Sequence, residues 1–230
     1  MKLYKEVDVL IIGAGPSGTV AAAYLKNNDF SVLVVEKQKF PRFVIGESLL
    51  PRTLDHLEEV GLLDAVKKVG FQEKVGATFF SEGKKCEFLF AEQFTNGYEY
   101  TWQVPRDQFD KVLADSVQEK GVKILFEHAV GNVDFQEKFQ LTTITNKDEL
   151  SIVKSKFIID ASGYGRVLPR QLNLNKPSIL KARSAVFTHL KNHFKEDLQQ
   201  QNNVFIDTLD TFSKAWMWMI PFNNGKTSIG

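Results

Sequence analysis

Residues 7–12 (VDVLII) run directly into Gly13-Ala14-Gly15-Pro16-Ser17-Gly18, and this junction constrains the fold more than any other stretch of the chain. A short run rich in β-branched residues fits a parallel strand covered on both faces. Residues 20–27 follow as a helix of small and apolar residues, and residues 31–35 (SVLVV) form a second strand that ends at Glu36. Strand, glycine turn, helix and strand in this length make a βαβ unit. Gly13, Gly15 and Gly18 match G-x-G-x-x-G in the context that gives the pattern meaning. The first glycine permits the tight turn, the second lets backbone approach a pyrophosphate, and the third lets helix pack on sheet. The helix start offers N–H groups and a positive dipole end to phosphate. Glu36, 18 residues after Gly18, can accept both ribose hydroxyls of an adenosine and would repel a 2′-phosphate. These residues point to a dinucleotide and leave NAD and FAD both open.

Composition narrows the function classes. The 230 residues are 43% hydrophobic and 25% charged, with a net charge of +1. This balance gives no electrostatic reason to expect nucleic acid or an anionic membrane as partner. The single cysteine, Cys86, allows no internal disulfide, fits a reducing compartment, and reads as a strand packing residue. No stretch approaches the roughly 18 apolar residues of a membrane span. Residues 7–12 are too few for a signal-peptide core. The expected location is cytoplasmic.

Beyond Glu36 the chain alternates loops and short elements. Residues 37–50 have no clear period and read as an ordered loop carrying Lys37, Pro41, Arg42, Gly46, Glu47 and Ser48. Pro51 opens a helix through Leu54, Leu57 and Val60, and a second short helix covers residues 62–69. Residues 75–80 and 85–90 read as a hairpin turning at Glu82-Gly83. Residues 107–119 predict a helix with Asp107 as N-cap and Phe109, Val112, Leu113 and Val117 on one face. A strand at 122–126 precedes an antiparallel meander over 129–135, 140–145 and 150–153. A separate short strand at 157–159 ends at Asp160. Residues 184–190, 202–209 and 215–220 predict three more strands, and residues 228–230 the start of another. A final strand cut short would leave an open sheet edge, so the chain reads as the front part of a longer protein with its C-terminal part missing.

With GAGPSG upstream, residues 41–51 (PRFVIGESLLP) resemble the aromatic-hydroxylase-like FAD superfamily. The likeness is closest to its branch of flavin-dependent, tryptophan-type halogenases and geranylgeranyl-reductase-like enzymes. It continues through Arg106, Asp107, Phe109 and Asp110, which look like an arginine-led helix beside the flavin, and through Asp160-Ala161-Ser162-Gly163, which look like the DASG segment that meets the cofactor. The resemblance implies FAD as cofactor. It implies an α/β fold: a Rossmann-type FAD-binding domain (residues 1–74 and 98–175) interleaved with an antiparallel β-sheet substrate domain (75–97 and 176–230 forming part of it). Gly13, Gly15, Pro16, Ser17, Gly18, Glu36, Lys37, Arg42, Gly46, Glu47, Ser48, Arg106, Asp160 and Gly163 are the implied cofactor contacts. Arg42 has three candidate partners: phosphate, ribose or Glu36.

Residues 216–221 (WMWMIP) resemble the W-x-W-x-I-P motif of flavin-dependent halogenases. Trp216 and Trp218 are two apart on a strand, so both rings face one side. The resemblance places them between flavin and substrate; two tryptophans at strand spacing also serve as packing. Lys74 resembles the halogenases' catalytic lysine, which directs hypohalous acid onto substrate; lying close to Lys67, Lys68, Lys84 and Lys85, it also reads as an ordinary solvated surface charge. His56, His128, His189 and His193 show no metal-ligand spacing and read as structural or surface residues. The family's second FAD motif, its F-x-P-x-S-x-G element and a catalytic acid do not occur in these residues. The implied function is halogenation of an electron-rich aromatic or carrier-bound substrate with FADH2, O2 and halide, electrons coming from a separate flavin reductase. Aromatic monooxygenation, isoprenoid reduction and a non-catalytic flavin-binding module are the alternatives.

Overall fold

The structure is a computed structural model and describes residues 2–191, 202–210 and 215–230. The chain begins β1 (Lys2–Ile12), α1 (Pro16–Asn27), β2 (Val32–Val35), α2 (Arg52–Glu59), α3 (Leu63–Val69) and β3 (Gln72–Lys74). It continues with β4 (Gly76–Ser81), β5 (Lys84–Leu89), β6 (Thr101–Gln103), α4 (Arg106–Glu119), β7 (Lys123–Leu125), β8 (Ala129–Phe135) and β9 (Gln140–Asn146). Then come β10 (Glu149–Asp160), α5 (Val167–Gln171), β11 (Thr188–Lys191), β12 (Asn203–Asp210), β13 (Ala215–Pro221) and β14 (Lys226–Ile229). Two compact units result. The first is Met1–Phe43, Glu59–Ala65 and Asp107–Ile179; the second is Val44–Glu58, Val66–Arg106 and Leu180–Gly230.

The first unit holds a six-stranded sheet in the order β7-β2-β1-β10-β9-β8. β7, β2, β1 and β10 are parallel, and β9 and β8 add antiparallel pairs. Val7, Leu10, Leu33, Val35, Leu125, Ile144 and Val153 form the core against it. α1 buries Gly18, Thr19, Ala22 and Ala23, small residues that let it sit close to β1 and β2. The two strands expected at 150–153 and 157–159 are one strand, β10, paired with β1 along most of its length. Polar residues conceal the continuity. Lys154 and Lys156 stay in β10 and pair across the sheet with Glu6 (3.1 Å) and Asp8 (2.7 Å) of β1, while Ser155 between them is buried. Asp107 is not the N-cap of α4: the helix starts one residue earlier, and Asp107 Oδ1 accepts from the Gln108 N–H at 2.9 Å.

In the second unit a six-stranded sheet runs β11-β14-β13-β12-β4-β5. Glu82 (φ 50°) and Gly83 (φ 76°) turn the β4–β5 hairpin, two left-handed residues matching the strand twist. The sheet is antiparallel except for β12, which lies parallel to β4, so the expected antiparallel sheet is a mixed one. β14 is paired on both sides, with β11 and β13; the edges are β11 and β5. The strand expected over 184–190 is confined to Thr188–Lys191. Cys86, expected to pack, is exposed, because β5 is an edge strand with little covering it. Val204, Ile220 and Phe222 form the core, with Ala77, Ile206 and Trp218 against it. β3 and β6 make a separate two-stranded ribbon. No helix among the described residues is long and apolar enough to cross a membrane.

Candidate functional site

In the first unit, three parallel strands end side by side. Ile12 of β1 is in register with Val35 of β2 and Asp160 of β10. Ligands in open α/β sheets bind outside such carboxyl ends. Gly13 turns there with φ +101°, and a Cβ on it would lie 2.6 Å from the Ala161 carbonyl oxygen. A Cβ on Gly18 would collide with the Gly13 carbonyl oxygen. The glycines therefore let the turn, the start of α1 and the DASG segment approach one another. Pro16 occupies the first turn of α1, its N-cap Gly15 makes no side-chain cap bond, and no acidic residue lies in that turn. No side chain of that turn offsets the positive end of the helix.

Glu36 is buried and bound by backbone on both oxygens. The Ala14 N–H donates to Oε2 at 3.0 Å and the Gln38 N–H to Oε1 at 2.9 Å. Each oxygen keeps a further lone pair for a hydroxyl donor. Arg42, for which Glu36 was one expected partner, pairs instead with Asp110 of α4, Nη1 to Oδ2 at 2.8 Å. Its guanidinium stacks over Phe40 at 4.5 Å, and Nη2 lies 3.5 Å from where a Gly15 Cβ would stand. The arginine is thereby held beside the glycine turn. Asp160 accepts from the Ser162 N–H (2.9 Å) and the Leu168 N–H (2.8 Å), which ties the DASG turn to α5. Gly163 opens the next 3-10 turn with φ +55°. Ser17 and Lys37 are exposed.

In the second unit, the GES loop and Lys74 belong to one ribbon. β6 pairs with β3 on one side, Lys74 opposite Thr101. On its other side β6 takes up the loop: Ser48 bridges Gln103, the Leu49 N–H donates to the Trp102 carbonyl (3.1 Å), and the Val104 N–H to the Glu47 carbonyl (2.7 Å). Arg106 Nη1 donates to the carbonyls of Ile45 and Gly46, each at 3.2 Å. Lys74 is 4% exposed. Its Nζ donates to the Leu49 carbonyl at 2.8 Å and lies 5.2 Å from the centre of the Phe90 ring. Burial lowers its pKa from 10.5 to about 8. Trp216 and Trp218 lie on another sheet of this unit, on one face of β13, ring centres 5.9 Å apart. Trp218 stacks on Phe187 at 6.5 Å and donates through Nε1 to Ser228 Oγ at 3.2 Å, while Trp216 is 49% exposed.

The structure thus brings together Gly13, Gly15, Pro16, Gly18, Glu36, Arg42 and Asp160 in one unit, and Gly46, Glu47, Ser48, Arg106 and Lys74 in the other. Sequence reading named Asp110 and His189 without finding their partners. Asp110 holds Arg42, and the signal was an acid on the inward face of a helix otherwise lined by Phe109, Leu113 and Val117. His189 Nε2 lies 2.8 Å from Glu47 Oε1, a contact 142 positions apart that no local pattern announces. His193 lies outside the described residues.

A family model described as FAD binding domain matches residues 6–228. The chain is 28% identical to the 1H-pyrrole-2-carbonyl-(peptidyl-carrier protein) chlorinase of Pseudomonas fluorescens, over 98% of this chain and 55% of that one. It is 32% identical to the corresponding brominase of Pseudoalteromonas luteoviolacea, over 100% of this chain and 55% of the relative. A solved flavoprotein/dehydrogenase from Cytophaga hutchinsonii is 49% identical, with a TM-score of 0.93 over 97% of this chain and 55% of that one. The myxobacterial chondrochloren halogenase, described as an FAD-dependent variant, is 28% identical with a TM-score of 0.81, over 98% and 52%. The chain spans about half the length of the curated relatives it matches.

Proposed function

Because the chain belongs to the FAD binding domain family, with FAD as its cofactor, we propose that it is a flavin-dependent halogenase acting on an electron-rich aromatic or carrier-bound substrate. The observation that carries this reading is Lys74: a buried lysine, fixed on the Leu49 carbonyl, with a pKa lowered to about 8. Near neutral pH such a group populates both charge states. The ammonium can hold hypohalous acid by a hydrogen bond; the free amine can take up the halogen on nitrogen and release water. Perturbed ionisable groups of this kind cluster at working sites. The relatives named as chlorinase and brominase support the reading.

The residues fit FAD. The start of α1 has neither a side-chain cap nor an acid in its first turn, and Arg42 stands beside Gly15. Glu47 Oε2 and Ser48 Oγ are buried with no hydrogen-bond partner. In this reading Gly13, Gly15, Pro16, Ser17, Gly18 and Arg42 hold the pyrophosphate, and Glu36 and Lys37 the adenosine ribose. Gly46, Glu47, Ser48, Arg106, Asp160 and Gly163 are its further FAD contacts. When bound, FAD supplies the redox chemistry with oxygen and halide, and the protein supplies position and exclusion of water. Trp216 and Trp218 wall the substrate. The assignment of residues 1–74 and 98–175 to FAD, and of 75–97 and 176–230 toward substrate, belongs to the same proposal. So do a cytoplasmic setting and a separate flavin reductase.

A second reading rests on the 49% identical flavoprotein/dehydrogenase: FAD chemistry that oxidises or reduces an organic substrate directly. One experiment separates the two. The protein is supplied with FADH2, O2, bromide and an electron-rich phenol, and products are weighed by mass spectrometry beside Lys74→Ala and bromide-free samples. Brominated phenol that disappears in Lys74→Ala is the expected result. Flavin that is bleached or reoxidised by an organic substrate, with no halide incorporated, establishes the second reading instead.

A further inference from the structure

The GES loop carries a carboxylate whose contact with a histidine the chemistry above leaves unused. Glu47 is 1% exposed. Its Oε1 lies 2.8 Å from His189 Nε2, while Oε2 and the neighbouring Ser48 Oγ are buried with no hydrogen-bond partner. The backbone around them is fixed by β6 and by Arg106, which grips the Ile45 and Gly46 carbonyls. His189 comes from β11, with its ring edge-on to Phe222 at 5.8 Å. Loop and histidine are therefore both held from outside. A buried carboxylate oxygen without a donor is costly, and buried polar atoms left unsatisfied in otherwise ordered structure call for an explanation. Two such atoms on adjacent residues, with the other carboxylate oxygen already fixed, form an edge that seeks N–H or O–H donors.

We infer that Glu47 Oε2 and Ser48 Oγ take hydrogen bonds from N–H or O–H groups of FAD, and that His189 is the positioning residue that fixes Glu47 through its 2.8 Å contact. The inference rests on the reading of the GES loop as an FAD contact. With His189 in place the carboxylate is oriented and one of its oxygens is held by a hydrogen bond. Without it the anion turns toward other donors and stands unheld beside the cofactor. Such a charge weakens FAD binding. It disfavours the reduced flavin further, since reduction adds negative charge to the ring, and the reduction potential moves to a more negative value.

The test uses the full chain, with FAD affinity read by flavin fluorescence, potential by equilibration with reference dyes, and thermal melting in parallel. His189→Leu is expected to weaken FAD binding about tenfold or more and to make the potential more negative. His189→Gln keeps an N–H donor for Glu47; it is expected to recover most of the affinity and to bring the potential back toward wild type. Adding Glu47→Gln to His189→Leu removes the stranded charge and returns the potential toward wild type. The inference alone is overturned if Glu47→Gln weakens FAD binding but both His189 variants keep wild-type affinity and potential. If Glu47→Gln, Ser48→Ala and the His189 variants all leave FAD affinity unchanged, the loop does not touch FAD, and both the reading and the inference fall. Should His189→Leu not fold, His189→Ala takes its place under the same readouts: weaker FAD binding and a more negative potential support the inference, and wild-type values overturn it.

Discussion

Lys74, to which the proposed chemistry is assigned, also weakens the fold. Burial lowers its pKa from 10.5 to about 8, so below pH 8 the folded chain carries a desolvated ammonium. That shift corresponds to a cost of roughly 3 kcal/mol, partly offset by the bond to the Leu49 carbonyl. The sign follows from proton counting. Between about pH 8 and 10.5 the unfolded chain still binds a proton that the folded one has released, so Lys74 makes stability rise with pH across that window. Lys74→Met is therefore expected to be more stable than wild type at pH 7, by about 1–3 kcal/mol, and to lose that advantage by pH 10. Urea unfolding at the two pH values measures it, and a difference independent of pH would refute the placement of the lysine. Arg42 carries a second prediction. Asp110 is fully buried against it, so Arg42→Ala is expected to cost about 3 kcal/mol or more and to weaken FAD binding. Equal FAD affinity in the folded variant would remove Arg42 from the phosphate site.

Elements explain why some of this was legible in the sequence and some was not. The glycine motif was legible because steric demand is local. The Cβ that Gly18 lacks would run into the Gly13 carbonyl oxygen. Gly18→Ala is therefore expected to push α1 away from the turn and to abolish measurable FAD binding while far-UV circular dichroism stays close to wild type; retained affinity would count against the pyrophosphate assignment. α1, β2 and the β4–β5 hairpin were legible for the same reason, since small residues, a β-branched run and Glu82-Gly83 each act within a few positions. β3 and β6 escaped notice because three residues give no period; they exist through pairing with each other and with the GES loop. β10 was split because Lys154 and Lys156 interrupt its apolar run, and their partners Glu6 and Asp8 lie on another strand. The burial of Lys74 was hidden among charged neighbours, and only the ribbon shows that its ammonium turns inward to Leu49.

At the scale of the whole molecule, each unit is assembled from three chain segments. The chain passes between them at 43/44, 58/59, 65/66, 106/107 and 179/180. Each sheet depends on distant chain. β1 takes its parallel partner β10 from the far side of four segment changes, and β4 takes β12 from beyond the last. Neither sheet can therefore form from one uninterrupted stretch, and unfolding either unit releases the ends of segments that the other holds. This connectivity predicts one cooperative transition for the described fold. Ligand linkage provides the measurement. FAD at about 100 times its Kd adds roughly 2.7 kcal/mol to any unfolding reaction that destroys its site, a shift of roughly 5–10 °C for a chain of this size. The expected calorimetric trace is a single peak that moves as a whole with FAD in wild type and stays in place in Gly18→Ala. Two peaks, with FAD moving only one, would show that the units melt separately despite the interleaved chain, and the peak that moved would identify the unit carrying the FAD-binding energy.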